Sequence, residues 1–393
     1  MKPRNFLALS ICFALPGRLS AAASADANWP QFRGPNGSGV ANAFKPPVKI
    51  VMNQTAWKTP LPRGKSSPVL WNGRIFLTGV EAGRLATLAL DAKSGKVLWK
   101  KLAAEVRLES VHTANSVAAS TPCVDEHGVY VYFGSYGLLC YDHDGRELWR
   151  RAIPTPKSMY GVSTSPILCE QRLILVADDD ANLPDSKLSR SKVIALDKAT
   201  GEKVWETPRP YNRGVWSTPM IWKHERGTDL VVLGNGRVYG YEPATGAEKW
   251  YAAGFAREPI AVPVAGDGQL YVSVANVRWN LRNGIPEIPS PIFHSGRLYL
   301  VRDGGILSCV RADTGAVVYR ERLGATGQYL ASPVIAGDHL YLFSVKGMLT
   351  VVKSGDAFEI VHQADLKASI AASPAMDQNS LYVRTDDALL VFR

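Results

Sequence analysis

Five copies of one short pattern constrain this 393-residue chain more than any other feature. An acid opens a turn, Gly closes it, and a large aromatic follows four residues later. The strong copies are Asp91–Gly95–Trp99, Asp142–Gly145–Trp149, Asp197–Gly201–Trp205 and Glu242–Gly246–Trp250. A fifth has Arg311 in the acid's place, then Gly315 and Tyr319. Alternating apolar runs flank each copy, so each reads as two strands joined by a tight turn. The acid accepts hydrogen bonds from turn amides, and Gly takes the φ > 0 position that closes the hairpin. The aromatic then lies on an outer strand, where a large ring fills the wedge between neighbouring units. A repeat of this period is the signature of a β-propeller.

A second marker precedes these hairpins, a small residue followed by Pro. It occurs at Ser67-Pro68, Thr121-Pro122, Ser165-Pro166, Thr218-Pro219, Val262-Pro263, Ser290-Pro291, Ser332-Pro333 and Ser373-Pro374. Pro is tolerated at the first residue of a strand, where its missing N–H is not needed by the ladder. Successive prolines stand 41–54 residues apart, except for one interval of 28 between Pro263 and Pro291. Four-stranded blades take about 40–50 residues each. The expected fold is therefore all-β, an eight-bladed propeller whose fifth blade is truncated. In that blade residues 270–274 form the second strand and 277–283 an irregular remainder. The last blade has room for three strands. Residues 55–61 supply its outer strand, with Trp57 in place of the repeat Trp, and so close the ring and remove its open edges. The expected division is a signal peptide over 1–25, an N-terminal extension over 26–54 and the propeller over 55–393.

The formal net charge is +10, but no basic stretch is interleaved with aromatics, so nucleic-acid binding is not expected. Lys2 and Arg4, the apolar residues 6–15 and Ala23-Ser24-Ala25 read as a cleavable export signal. The apolar stretch is too short to span a bilayer, and Ile11 before Cys12 does not make a lipidation site. A monomeric periplasmic or extracellular protein without a transmembrane segment is the expectation. Cys123, Cys140, Cys169 and Cys309 lie in apolar strand-like runs and read as buried free thiols. Neither a CxxC nor a metal-ligand His spacing occurs, so no metal site is assigned.

The hairpins, Leu90-Asp91-Ala92-Lys93-Ser94-Gly95-Lys96-Val97-Leu98-Trp99 above all, resemble the pyrroloquinoline-quinone-like (PQQ-like) propeller repeat. The resemblance runs from Trp57 to Arg393. The segment Trp29-Pro30-Gln31-Phe32-Arg33-Gly34-Pro35-Asn36-Gly37 looks like the opening of exported bacterial propellers of this type. Two branches follow from the resemblance. Quinone-dependent alcohol or sugar dehydrogenases imply a quinone under adjacent cysteines, over a Trp floor, beside a calcium held by Glu, Asn and Asp. Here no two cysteines are adjacent, and Trp216 or Trp279 are the floor candidates. The noncatalytic branch is similar to the propeller subunit of the outer-membrane β-barrel assembly machinery. It implies a scaffold that holds an envelope protein or peptide partner, sometimes by strand addition. The noncatalytic reading is the one taken. No cofactor is expected, and pyrroloquinoline quinone and calcium enter only with the dehydrogenase alternative.

Symmetry places a ligand-binding mouth where motifs do not. The segments before each Ser/Thr-Pro reach one end of the channel and carry Arg63, Lys65, His112, Tyr160, Arg213, Trp216, Glu287, Gln328, Tyr329 and Lys367. They line a hydrated pore, or they form an anion or carbohydrate pocket with Arg63, Lys65 and Arg213 holding charge and Trp216 and Tyr329 stacking. No catalytic residue is assigned, since no nucleophile motif accompanies His112. Asp178-Asp179-Asp180 reads as a solvated loop, its spacing matching no calcium loop. Residues 277–280 either gap the wall, reach over the pore, or mark a tolerated deletion.

Overall fold

The computed structural model of the protein describes residues 28–179, 183–214, 216–255, 260–272, 279–281, 283–325 and 327–393. The expected signal peptide lies outside these residues, as do Asp180, Val277 and Arg278.

Antiparallel sheets follow one another around a ring. The first blade runs through Val69–Trp71, Arg74–Glu81, Arg84–Asp91 and Val97–Leu102. The same order repeats from Cys123, Ile167, Met220, Ile292, Val334 and Ala375. Among the described residues this makes seven four-stranded blades, where eight blades with the fifth truncated were expected. Between the blade ending at Ala253 and the one starting at Ile292 the described residues form a two-stranded unit, Val264–Gly266 paired with Gln269–Tyr271. An interval of 28 residues is too short for four strands of about 5–6 residues with their turns. Ring closure follows the expectation, since Trp57–Pro60 pairs antiparallel with Ala388–Phe392, from Trp57↔Val391 to Pro60↔Ala388.

The repeat chemistry explains the hairpins. Asp91 Oδ1 accepts from the Ser94 amide at 2.7 Å, Asp142 Oδ1 from Asp144 and Arg146, and Asp197 Oδ1 from Ala199 and Thr200. Gly95 takes φ 73° in the turn, and the ladder slips by one residue at Leu98, where Leu90 pairs with Val97 but Ala89 with Trp99, a bulge immediately before the Trp. Trp99 then leaves its own blade. Its indole N–H donates to His143 O at 2.8 Å in the next blade. Trp57, Trp149 and Trp205 reach Ala92 O, Lys198 O and Pro243 O in the same way. Each ring covers the turn glycine of its neighbour: a Cβ at Gly95 would stand 2.5 Å from the Trp57 ring.

The small residue before each Pro also has a cause that its size alone does not reveal. Its hydroxyl accepts the amide of the equivalent residue one blade earlier: Ser67 N to Thr121 Oγ1, Thr121 N to Ser165 Oγ, Ser165 N to Thr218 Oγ1. On the other side Val262 N, Ser290 N and Ser332 N donate to Ser290, Ser332 and Ser373. Val262 has no hydroxyl to offer Thr218, so this belt is interrupted where the blade is short.

The N-terminal extension is part of the fold. Trp29 and Leu70 exchange both backbone bonds, at 3.0 and 2.8 Å. Pro30 O accepts from Val124 N, Asn36 Nδ2 donates to Ile221 O, and Val40–Ala41 pairs in parallel with Ile335 and Ala336. These partners are innermost strands on different sides of the ring, so residues 29–41 cross the channel and plug it. Trp29 and Arg33 are fully buried there. Arg33 Nη2 donates to Pro291 O and Ser38 O, and burial pushes its pKa down to about 9.

The Asp178–Asp180 reading needs correction. Asp178 and Asp179 are buried, not solvated. Asp178 holds Arg209 in a bidentate pair at 3.0 and 3.1 Å, while Arg209 also donates to Leu233 O and lies 5.1 Å over the Tyr239 ring. The apolar surroundings demand this arrangement, because a buried carboxylate is stable only when paired. The four cysteines are free thiols, Cys123, Cys140 and Cys309 buried and Cys169 half-buried.

Candidate functional site

At the channel mouth the expected residues separate into two groups. His112, Tyr160 and Trp216 come together, with His112 and Tyr160 rings 5.1 Å apart and Tyr160 and Trp216 also 5.1 Å apart, both edge-on. Asn115 Nδ2 ties this row to Tyr160 O. Lys65 Nζ donates to Ala114 O at 2.6 Å in the same loop, and burial holds its pKa below the usual lysine value despite nearby Asp386. Arg213 Nη2 binds Leu183 O. Arg63 is exposed and bridges Val80 through its backbone. Lys367 is exposed and paired with Asp365 at 2.5 Å. The two rings expected to stack on a ligand are not presented. Trp216 is buried, its N–H on Gly161 O. Tyr329 is buried in the core of the Ile292–Arg322 and Val334–Asp365 blades, its OH on Ala325 O. The cavity beside Trp216 is only 10 Å³, about the room of one water.

Sequence reasoning missed Glu109, three residues before His112. Its Oε2 accepts from Val162 N at 3.3 Å, while Oε1 is buried without a partner. Burial pushes this carboxyl up to about 7, against the weaker pull of its hydrogen bonds. No short motif marks it, because its surroundings come from the turn at Ser135 and the loop at Val162.

The large concavity lies at the rim. A cleft of 1110 Å³ opens between the blade ending at Ala253 and the two-stranded unit. Trp222, Val238, Trp250, Ala252, Leu270 and Val272 form its apolar walls. Asp229 lies in one wall, 2 % exposed, with Lys249 at 2.5 Å and His224 at 3.1 Å. Burial raises the Asp229 pKa, but its bonds from Lys249, Trp250 and His224 win, and the carboxyl sits below the usual range.

Trp279, expected as a possible quinone floor, is the repeat Trp of the short unit. Its N–H donates to Ala312 O at 3.0 Å and its ring covers Gly315. The missing Gly-to-aromatic motif hid this role.

Comparison with known proteins agrees with this architecture. Over 144 residues the chain is 26 % identical to the outer membrane protein assembly factor BamB of Kangiella koreensis, covering 36 % of this chain and 32 % of that protein. It is 22 % identical over 341 residues to the factor of the same name from Yersinia pestis, covering 80 % of each. Among solved structures it is similar to the quinohemoprotein alcohol dehydrogenase of Comamonas testosteroni, with a TM-score of 0.65 at 12 % identity over 95 % of this chain and 81 % of that one. That likeness concerns the fold alone. Residues 50–177, 87–273 and 274–391 each match the PQQ-repeat family described as outer membrane protein assembly factor BamB, and the chain belongs to that family.

Proposed function

We propose that this protein is a noncatalytic propeller that holds protein partners in the cell envelope. The observation that carries the reading is the plugged axis. Residues 29–41 bond to the innermost strands of several blades on the axial side of the ring, which leaves the loops and the rim for contact. In this reading the two-stranded unit is the remnant of a fifth blade in an eight-membered ring, and the chain is exported. No helix among the described residues is long and apolar enough to cross a membrane. At the mouth, Arg63, His112 and Tyr160 present exposed side chains to a partner.

The residues present do not fit the quinone-and-calcium site that the dehydrogenase likeness implies. Trp279 is committed to the rim and Trp216 is buried. Among the described residues no three His, Cys, Asp or Glu side chains converge for a metal. Cross-linked pull-down of the full chain from envelope fractions tests the scaffold, with enrichment of a specific envelope protein as the expected result. Saturable binding of quinone and calcium with dye-linked alcohol or sugar oxidation would overturn it.

A further inference from the structure

Glu109 sits at the mouth in a place where a charge does not belong. It lies on the connection between the first two blades, residues 103–122, and reaches across to the next connection, residues 152–166. Its Oε2 accepts from the Val162 amide at 3.3 Å, and its own amide donates to Ser135 Oγ at 2.8 Å. Oε1 is buried without a partner. That oxygen lies against the turn of the second blade, so close that a Cβ at Gly134 would collide with it. A neutral carboxyl can keep an oxygen there, whereas an ionised one would bury charge on an atom with no donor beside it.

The same two connections share further contacts, and none of these changes charge with pH. The His112 amide donates to Tyr160 O at 3.3 Å, and Asn115 Nδ2 donates to Tyr160 O at 2.8 Å. Val111 packs so tightly on Gly161 that no Cβ would fit there. Trp216 holds the second connection independently, through its N–H on Gly161 O. Together these contacts assemble an exposed patch at the mouth. Met159 is 64 % and Tyr160 39 % exposed, and the His112 ring stands edge-on to Tyr160. The titratable groups on the packed segments are Tyr132 and Tyr136 of the second blade, Lys157 and Tyr160 of the facing connection, and Arg107 and His112 beside Glu109. From the first blade, Lys65 holds Ala114 O, with the Asp386 charge acting on it. Among the described residues none of these groups pairs with the Glu109 carboxyl. Burial raises the Tyr132 hydroxyl well above the ordinary tyrosine range, and the Glu109 charge adds to that, so it stays a neutral neighbour.

We propose that Glu109 is a proton-operated latch, which fastens the two connections when protonated and so assembles the patch of His112, Tyr160 and Met159. When ionised it leaves its crevice, and the 103–122 connection loosens from Tyr160. Use of the patch by a partner rests on the scaffold reading, to which the latch adds regulation: contact is made in acid and weakened in base. Burial lifts the folded carboxyl to about 7, and the freed one returns to about 4.3. The fastened state therefore has its full advantage below about 4.3 and loses it as pH rises through 7.

Amide hydrogen exchange of the full chain at pH 5 and pH 8 tests the latch, each rate being divided by the intrinsic rate at that pH. Protection of the Val162 and His112 amides should fall at least about tenfold between the two. The Leu366 amide, bonded to Gly347 O after the blade from Val334 to Asp365, should keep its protection. Glu109→Gln should hold both mouth amides equally protected at pH 5 and pH 8. Unchanged protection of Val162 and His112 in the wild type, an equal loss in Glu109→Gln, or a parallel loss at Leu366 would overturn the latch. No partner is needed for this measurement, so its failure leaves the scaffold reading intact. An empty envelope pull-down rejects the scaffold without touching the latch.

Discussion

Trp250 donates its indole N–H to Asp229 of its own blade at 2.6 Å, whereas Trp99 donates to His143 of the next. The two tryptophans hold the same position in the same repeat. What separates them is the sequence of the neighbouring unit, which carries an acid-to-Gly turn motif after Trp99 and none between Pro263 and Pro291.

Docking on glycine makes a direct stability prediction. Gly95 has φ 73°, and a Cβ there would meet Trp57 at 2.5 Å, while Gly73 has φ 75° and open space around it. Gly73→Ala should cost only the left-handed backbone term, about 1–2 kcal/mol. Gly95→Ala should cost about 1–3 kcal/mol more from overpacking. Urea denaturation of both variants measures the difference, and equal losses would remove the Trp57 contact from the account.

Glu109 predicts a pH-dependent gain. Its folded pKa, about 7, lies above the ordinary glutamate value. Such a carboxyl contributes stability that is fully present below the unfolded pKa, about 4.3, and is lost as pH rises through 7. Glu109→Gln should therefore match the wild type near pH 4 and exceed it at pH 8 by about 1–3 kcal/mol. Thermal melts across that range check the sign.

The Asp178–Arg209 pair predicts a loss. Both side chains are at most 1 % exposed. Asp178→Ala leaves the guanidinium buried without its counter-charge and should cost about 3–5 kcal/mol. Equilibrium unfolding measures it, and a loss below about 1 kcal/mol, the level of an exposed pair, would show that water reaches Arg209.

Trp29 tests the plug. Its ring is fully buried among the first and closing blades. Trp29→Ala should cost about 3–5 kcal/mol. Hydrogen exchange should rise first at the Leu70 and Val124 amides, which bond to residues 29 and 30. Exchange unchanged at those two sites would mean that the plug is held elsewhere.

The repeat made the local structure legible. Strand alternation, the acid-to-Gly turns and the closing role of Trp57 all follow from residues a few positions apart, and the chain places them as expected. The short interval after Pro263 likewise pointed to an incomplete blade, and among the described residues a two-stranded unit stands beside seven four-stranded blades. The mouth was less legible: Tyr329 and Trp216 look like surface aromatics in sequence, and only packing from neighbouring blades reveals them as buried.

The sequence by itself determined the all-β repeat, because turn geometry and strand period are local properties of residues such as Asp91, Gly95 and Trp99. Tertiary structure alone decided where each side chain spends its hydrogen bonds. The carbonyl that receives each docked indole lies 33–49 residues away, beyond the reach of any local pattern. For the same reason Trp279 performs the repeat's role without its motif, Trp250 carries the motif without its neighbour, and residues 29–41 become the plug of the ring. Contacts between units depend on which unit stands next, and the short interval after Pro263 carries no acid-to-Gly turn motif to receive Trp250.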